Sequence, residues 1–452
     1  MAAMRKHFLI LMEKALQVKN IIMKHLLLLV LMLTLTWLSC KSPTATNNYR
    51  LSLSISDVSC TEAWIELTIN NAPLPTNIVI KKNGNIFFSF NLTSNDTTLY
   101  DSTLSPNQSY SYQAEYGKGF PTERSETVTA KTMDTTSSSF TWQTFTFGGN
   151  AGSCMLNDVA IINDTLAYAV GEIYMNDSTG KHDPFPYNFA KWNGRKWQLR
   201  KIAVMYKGNQ TIAPLKGVFI LQNGEIILSS GLPYLQDNNG GWRLYHLWDM
   251  GVLNQNDGSV YHISGTSIND LFFVGNSGTI VHYSNGTWQK RESGTTLNIT
   301  DIYGIPNTTD IFMSLYNTSS GLEGYDLLSI ANNNKIENLS TPNNLFEASS
   351  VWAENKNIVY IAGSGLFRES YGKWEEINEF TMKSLTGIRA NGLNDMFVIG
   401  STHTGHYNGN TWTIYKELDL PNGVYSSIDF KNNVVIIAGY IGSRAVVTIG
   451  KR

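Results

Sequence analysis

The chain has 452 residues, too many for one hydrophobic core, so several compact units or a repeat array are expected. Hydrophobic residues make up 42% and aromatic residues 12%, which excludes a disordered chain. The formal net charge of −2 leaves no electrostatic footprint for nucleic acid, and the 15% of charged residues is low, as in extracytoplasmic all-β proteins.

The first element is a leader. Met23-Lys24-His25 precedes an apolar run of thirteen residues, Leu26 to Leu38, that ends at Ser39-Cys40. A bilayer span needs about 20 such residues, so the run reads as the core of a secretory signal over 1–39, with Met23 as the expected true start. Leu38-Ser39-Cys40 resembles the lipobox of bacterial lipoproteins. The resemblance implies lipidation at Cys40, a tether over 40–48, and attachment to the bacterial envelope, at the outer membrane, through acyl chains. Loss of residues 1–39 removes five Lys/Arg and one acid, leaving a mature charge of −6. Such a surface would not hold anionic lipid without the anchor. Cys60 and Cys154 are then the remaining cysteines, expected as two free buried thiols.

Period-two alternation begins at Tyr49. Leu51, Leu53 and Ile55 share one face, as do Ile65, Leu67 and Ile69, and Ile78 with Ile80. Turn signals at Asn83-Gly84 and Ser105-Pro106-Asn107 separate these runs, and about seven strands fit into 49–133. The segment Leu104-x-Pro106-x-x-x-Tyr110-x-Tyr112-x-Ala114 resembles the tyrosine corner of fibronectin type III domains. That resemblance implies an immunoglobulin-like sandwich whose corner tyrosine bonds back to the backbone, with no catalytic residue of its own. A polar linker, 134–139, should leave this domain separable from the remainder of the chain.

From residue 140 the chain repeats itself. SIND-LFFVG-TIVHY-NGTW at 267–288 recurs at 393–412 and, with an insertion, at 156–197. The aligned apolar residues of the first strands are Val159, Val218, Ile263, Ile302, Val351, Ile388 and Ile428, spaced by 59, 45, 39, 49, 37 and 40 residues. Four-stranded propeller blades repeat at about 40–50 residues, so the expectation over 140–452 is a closed β-propeller of seven four-stranded blades. Asn-Gly pairs at 193–194, 285–286 and 408–409 should form tight hairpins. The last copy is one strand short, and Phe140–Phe145 is expected to supply that strand beside Ala445–Ile449, leaving no open edge. The ending Gly409-Asn410-Thr411-Trp412 resembles the tail of the Asp-box hairpin of sialidase-like propellers, which bears on architecture and not on activity.

Chemistry is sparse. His282 and His406 recur at one repeat position, as scaffold residues would, and His403 and His406 face opposite ways on a strand. Asp257-Gly258 lacks the oxygen ligands of a calcium loop, and no phosphate loop, zinc helix or nucleophile elbow occurs. No metal or cofactor is therefore expected. The pairs Asn157-Asp158, Asn269-Asp270 and Asn394-Asp395 read as turn formers.

The non-repeated stretches 172–188, 200–214, 232–258 and 314–324 fall mostly in loop classes that share one end of a propeller. They carry Tyr174, Tyr187, Tyr206, Tyr234 and Trp248 as candidate ligand-binding residues. These features together read as a non-catalytic envelope lipoprotein that binds or displays a glycan or envelope protein. The alternatives are a polysaccharide hydrolase or lyase, which needs paired carboxylates at the ring's mouth, and an assembly scaffold, which needs a large exposed apolar patch.

Overall fold

The computed structural model describes residues 51–452 apart from 73, 117–122, 150, 238, 317–326, 331–334, 343, 346, 379–383 and 402. Cys40, the leader and the tether lie outside the described residues, as do 317–324 of the last non-repeated stretch. Two compact units divide the chain. One runs through Ser54 and includes Glu66–Thr97 and Ser111–Val128; the other comprises Ile55–Ile65, Thr98–Tyr110 and Thr129–Arg452.

In the first unit, strand Thr76–Lys82 pairs antiparallel with Asn85–Leu92. Asn83 and Gly84 make the turn, both at positive φ (51° and 80°), as a right-twisted two-residue hairpin requires. The alternating residues Leu51, Leu53, Leu67, Ile69, Ile78 and Ile80 are all buried.

The second unit is propeller-like. Among the described residues it holds seven four-stranded antiparallel sheets. Their first strands are Met155–Asn163, Gly217–Ile220, Val260–Ser267, Asn298–Gly304, Ala348–Asn355, Leu385–Gly392 and Gly423–Lys431, here numbered as sheets one to seven. Each first strand lies against the first strands of the sheets before and after it, and that of sheet seven lies against that of sheet one. The seven apolar residues aligned from the repeats occupy these strands at one register: Val159 opposite Ala169, Ile263 opposite Phe273, Ile428 opposite Ile437, and so on round the series. The fourth strand of sheet seven is Thr141–Phe147, paired antiparallel with Arg444–Lys451 from Lys451↔Thr141 to Ala445↔Phe147. The chain thus joins its sheet ends across some 300 positions, through main-chain bonds that would otherwise be an exposed edge.

Three local devices explain why the repeats look as they do. First, the register slips by one residue in six of the seven first strands, for example between Leu156 and Asp158 and between Ile299 and Asp301. Such bulges re-aim the side chains beside them. The bulged residues Asn157, Thr300, Thr386 and Ser426 each donate to a carbonyl of the next sheet: Leu215 (2.7 Å), Ala348 (2.8 Å), Tyr425 (2.7 Å) and Leu156 (2.9 Å). Second, five of the seven second strands carry a glycine near their end, where the strand passes close to the neighbouring first strand. A Cβ on Gly363 would sit 1.7 Å from the Glu347 carbonyl oxygen, and one on Gly439 1.9 Å from that of Val424. Third, the repeat tryptophans pack between sheets. Trp288 lies 4.9 Å from Tyr245, at the end of sheet two, and Trp197 joins the core shared by sheets one and seven.

The polar stretch 134–139 belongs to the second unit. Thr136 bonds to the carbonyls of Asn394 (2.7 Å) and Asn408 (3.0 Å), and the Ser138 hydroxyl lies 2.8 Å from His406 Nδ1. Hydrogen bonds hold it to sheet six although it has no apolar anchor. One turn assignment also changes. Asp270 and Asp395 open second strands and meet the imidazoles of His282 (2.7 Å) and His406 (2.8 Å). Asp158 has no such place: the sheet-one turn is Asn163-Asp164, and Asp158 sits on the first strand beside the bulge.

Candidate functional site

Two regions of the second unit gather polar or exposed side chains that the repeat does not need. One is the axial channel, a cavity of about 260 Å³ between the first strands. The residue that follows each bulge is turned toward the neighbouring sheet, and in sheets one, three and four it is Asp158, His262 and Asp301. Arg389 and Asp429 lie one position beyond the aligned apolar residues of sheets six and seven.

Arg389 spans from sheet six to sheet four in a bidentate pair with Asp301 (2.8 and 3.0 Å). Asp301 also accepts bonds from the Ser350 hydroxyl (2.5 Å) and the amides of Ile302 (2.9 Å) and Val351 (3.2 Å). Burial works to raise its carboxyl, but the Arg389 charge and these bonds hold it below the ordinary value. Asp158 accepts from the Ser427 hydroxyl (2.7 Å) and the amides of Val159 and Val218 (both 2.9 Å). With no cation in contact, burial still pushes it up to about 6. Asp429 is likewise raised by burial and is held by the amides of Ile161 (2.6 Å) and Phe430 (2.8 Å). Burial lowers the His262 imidazole pKa, the nearby Asp301 charge working against it. Asp158, Asp301 and Asp429 therefore each accept a main-chain bond from the adjoining sheet. Their lone pairs serve the ring, and none is placed as a ready general base.

The second region lies at the loops of sheets one to three. Tyr174 stacks near His182 (6.1 Å) and its hydroxyl donates to Glu172 (3.4 Å). Tyr187 opens the third strand of sheet one beneath the Lys201 ammonium (5.1 Å). Tyr206 sits in an extra hairpin, Val204–Tyr206 with Asn209–Thr211. It stacks on His246 at 4.6 Å and donates to Asp249 (3.1 Å). Trp248 lies edge-on to His246 at 6.0 Å and donates to the Asn254 carbonyl (2.9 Å). Tyr234 differs: it belongs to strand Pro233–Gln236 of sheet two, is buried, and bonds Ser230 at 3.0 Å, so it offers no surface. The structure thus joins Tyr206 and Trp248 through His246, keeps Tyr174 and Tyr187 on sheet one, and removes Tyr234 to the core.

The same stretches hold exposed side chains that sequence reading passed over. Met175, Phe185, Met205 and Met250 are four of the seven large apolar residues exposed among the described residues. All four fall in the stretches 172–188, 200–214 and 232–258. The signal was present, because these stretches are the ones the repeat leaves over. The channel residues stand beside five of the aligned first-strand apolar residues, Val159, Ile263, Ile302, Ile388 and Ile428, but nothing in that spacing says which of them meet.

Among the described residues no group of three or more His, Cys, Asp or Glu is placed to hold a metal ion. Cys60 and Cys154 are both buried free thiols. No helix among the described residues is long and apolar enough to cross a membrane. No protein-family model matches the chain, and no characterised protein does at a significant level. Among solved structures, the chain is similar to β-1,2-mannobiose phosphorylase from Listeria innocua in complex with β-1,2-mannobiose. The identity is 5%, 68% of this chain and 90% of that one are covered, and the TM-score is 0.22.

Proposed function

We propose that the chain is a non-catalytic, lipid-anchored protein of the bacterial envelope that docks a partner protein on the loops of sheets one to three. In this reading Cys40 carries the acyl anchor, a fibronectin type III-like sandwich occupies 49–133, and 140–452 close into a seven-bladed propeller. The hydrogen bond from the Ser105 amide to the Tyr110 hydroxyl (2.9 Å) supports the tyrosine-corner reading.

The observation that carries the functional reading is the concentration of exposed Met175, Phe185, Met205 and Met250 on the loops that the ring does not require. Flexible thioethers adapt to apolar partner surfaces. They offer a sugar neither a flat face nor hydrogen bonds, which favours a protein over a glycan at this end. An enzyme reading needs carboxylates whose lone pairs face a substrate, and the channel carboxylates accept bonds from the adjoining strands.

A photo-cross-linking residue placed at Met205 or Met250 of the full chain, in cells, should trap one discrete adduct, whereas one at the exposed Ile414 should not. In a Cys40→Ser background the adduct should disappear, because the unanchored chain no longer reaches the envelope partner. Equal labelling at position 414, or no adduct at either loop position, overturns the docking reading. An adduct that survives Cys40→Ser overturns the anchor.

A further inference from the structure

A second cavity lies away from the loop cluster, on the outer strands of sheets five and six, and all the residues around it belong to the second unit. Its volume is about 700 Å³, within the range of small-ligand sites. Tyr360 and Met396, both buried, form its apolar floor. At its side the Arg368 guanidinium, itself buried, pairs bidentately with Glu62 (2.7 and 2.6 Å) and bonds to Glu375. The Tyr100 hydroxyl joins the same group, donating to Glu62 and accepting from Arg368 (3.1 Å).

Two features point to a ligand. The first is a repeat residue that packs against the core of sheets five and six but is left partly open. Trp197 and Trp288, which pair across their hairpins with Trp192 and Tyr283, are buried between sheets. Trp412 stands in the same register opposite Tyr407, yet it is half-buried and its ring lines the cavity, 5.1 Å from that of Tyr407. The second is charge. Glu62, Glu375 and Glu376 line the cavity with one cation, Arg368, which is already met by two of them. The excess is negative, so an anion is repelled and a donor of hydrogen bonds is favoured. Asn378, Asn410 and Thr411 add neutral polar groups at the rim.

We infer that this cavity is a cleft for a neutral, hydroxyl-rich sugar. The Trp412 and Tyr407 rings would take the apolar C–H face of a pyranose, and Glu375, with 45% of its side chain exposed, would accept from its hydroxyls. Planar rings with a polar rim suit such a two-faced ligand better than a purely apolar one. The site is separate from the protein-docking loops, so either assignment can fail without the other.

The test is titration calorimetry of the full chain with β-linked hexasaccharides of glucose, mannose, xylose and N-acetylglucosamine. At least one should bind, with inorganic phosphate showing no heat. Trp412→Ala and Glu375→Gln should each weaken that binding by about tenfold, the equivalent of one lost stacking or charged hydrogen-bond contact. Met205→Asp should leave it unchanged. If Trp412→Ala lowers the melting temperature, Trp412→Phe serves instead: it keeps an aromatic face and should bind within about threefold of the native chain. No binding by any of the four sugars at millimolar concentration overturns the inference. So does sugar binding that survives both Trp412→Ala and Glu375→Gln, or phosphate binding that Arg368→Gln abolishes.

Discussion

Replacing Asp301 with alanine tests whether the channel charges hold the ring together. The substitution removes both arms of the Arg389 pair and the bonds from Ser350 and the amides of Ile302 and Val351. Arg389 keeps the Ile388 carbonyl (2.7 Å) but loses its only counter-charge at contact distance among the described residues. Stranding one member of a buried ion pair costs about 3–5 kcal/mol. For a unit this large, a kilocalorie moves the melting temperature by roughly 2 °C, the lower end of the usual scaling, so a drop of about 6–10 °C is expected. Arg389→Met should cost less, because Asp301 would retain three neutral donors. The double variant should then fall short of the sum of the two by about 2 kcal/mol, as for residues in one network. Calorimetry and urea unfolding of the full chain, followed by tryptophan fluorescence, would measure all three variants. A shift below 2 °C for Asp301→Ala, or strict additivity in the cycle, would refute the role given to the pair.

Three further outcomes concern the ring. Phe145 packs against Trp192 at 5.5 Å in the core shared by sheets one and seven, so Phe145→Asp should destabilise by about 3 kcal/mol or more and promote aggregation as the closing strand peels away; unchanged melting and solubility would argue that this strand closes nothing. The raised Asp158 carboxyl supplies stability below its ordinary value of 3.8 and loses it as pH rises through about 6. Asp158→Asn should therefore gain stability relative to the native chain between pH 4.5 and 7.5. His262→Gln should do the reverse, since the lowered imidazole pKa costs the native chain stability as pH falls. Melting temperatures that move in parallel for native chain and variants across this range would contradict both signs.

The arrangement of the ring was written locally. Alternation of apolar residues, the Gly near the end of the second strand in five of the seven sheets, and the Asn285-Gly286 hairpin, both residues at positive φ, are short-range features. The seven first strands, and the strand that completes the last sheet, could be read from them because the other copies each carry four strands and the last copy carries three. Tertiary structure decided the rest, since burial and charge pairing depend on residues far apart in the chain. Asp158 resembles Asp270 and Asp395 in sequence, but a bulge places it in the channel while the other two meet histidines. Tyr234 resembles the loop tyrosines, but strand pairing draws it into sheet two. Arg389 meets Asp301 because sheets four and six face one channel, and Arg368 meets Glu62 from the 55–65 segment; no spacing in the sequence announces either pair. The lone Met and Phe side chains left outside became visible as a surface only once the core had claimed every apolar residue it could cover.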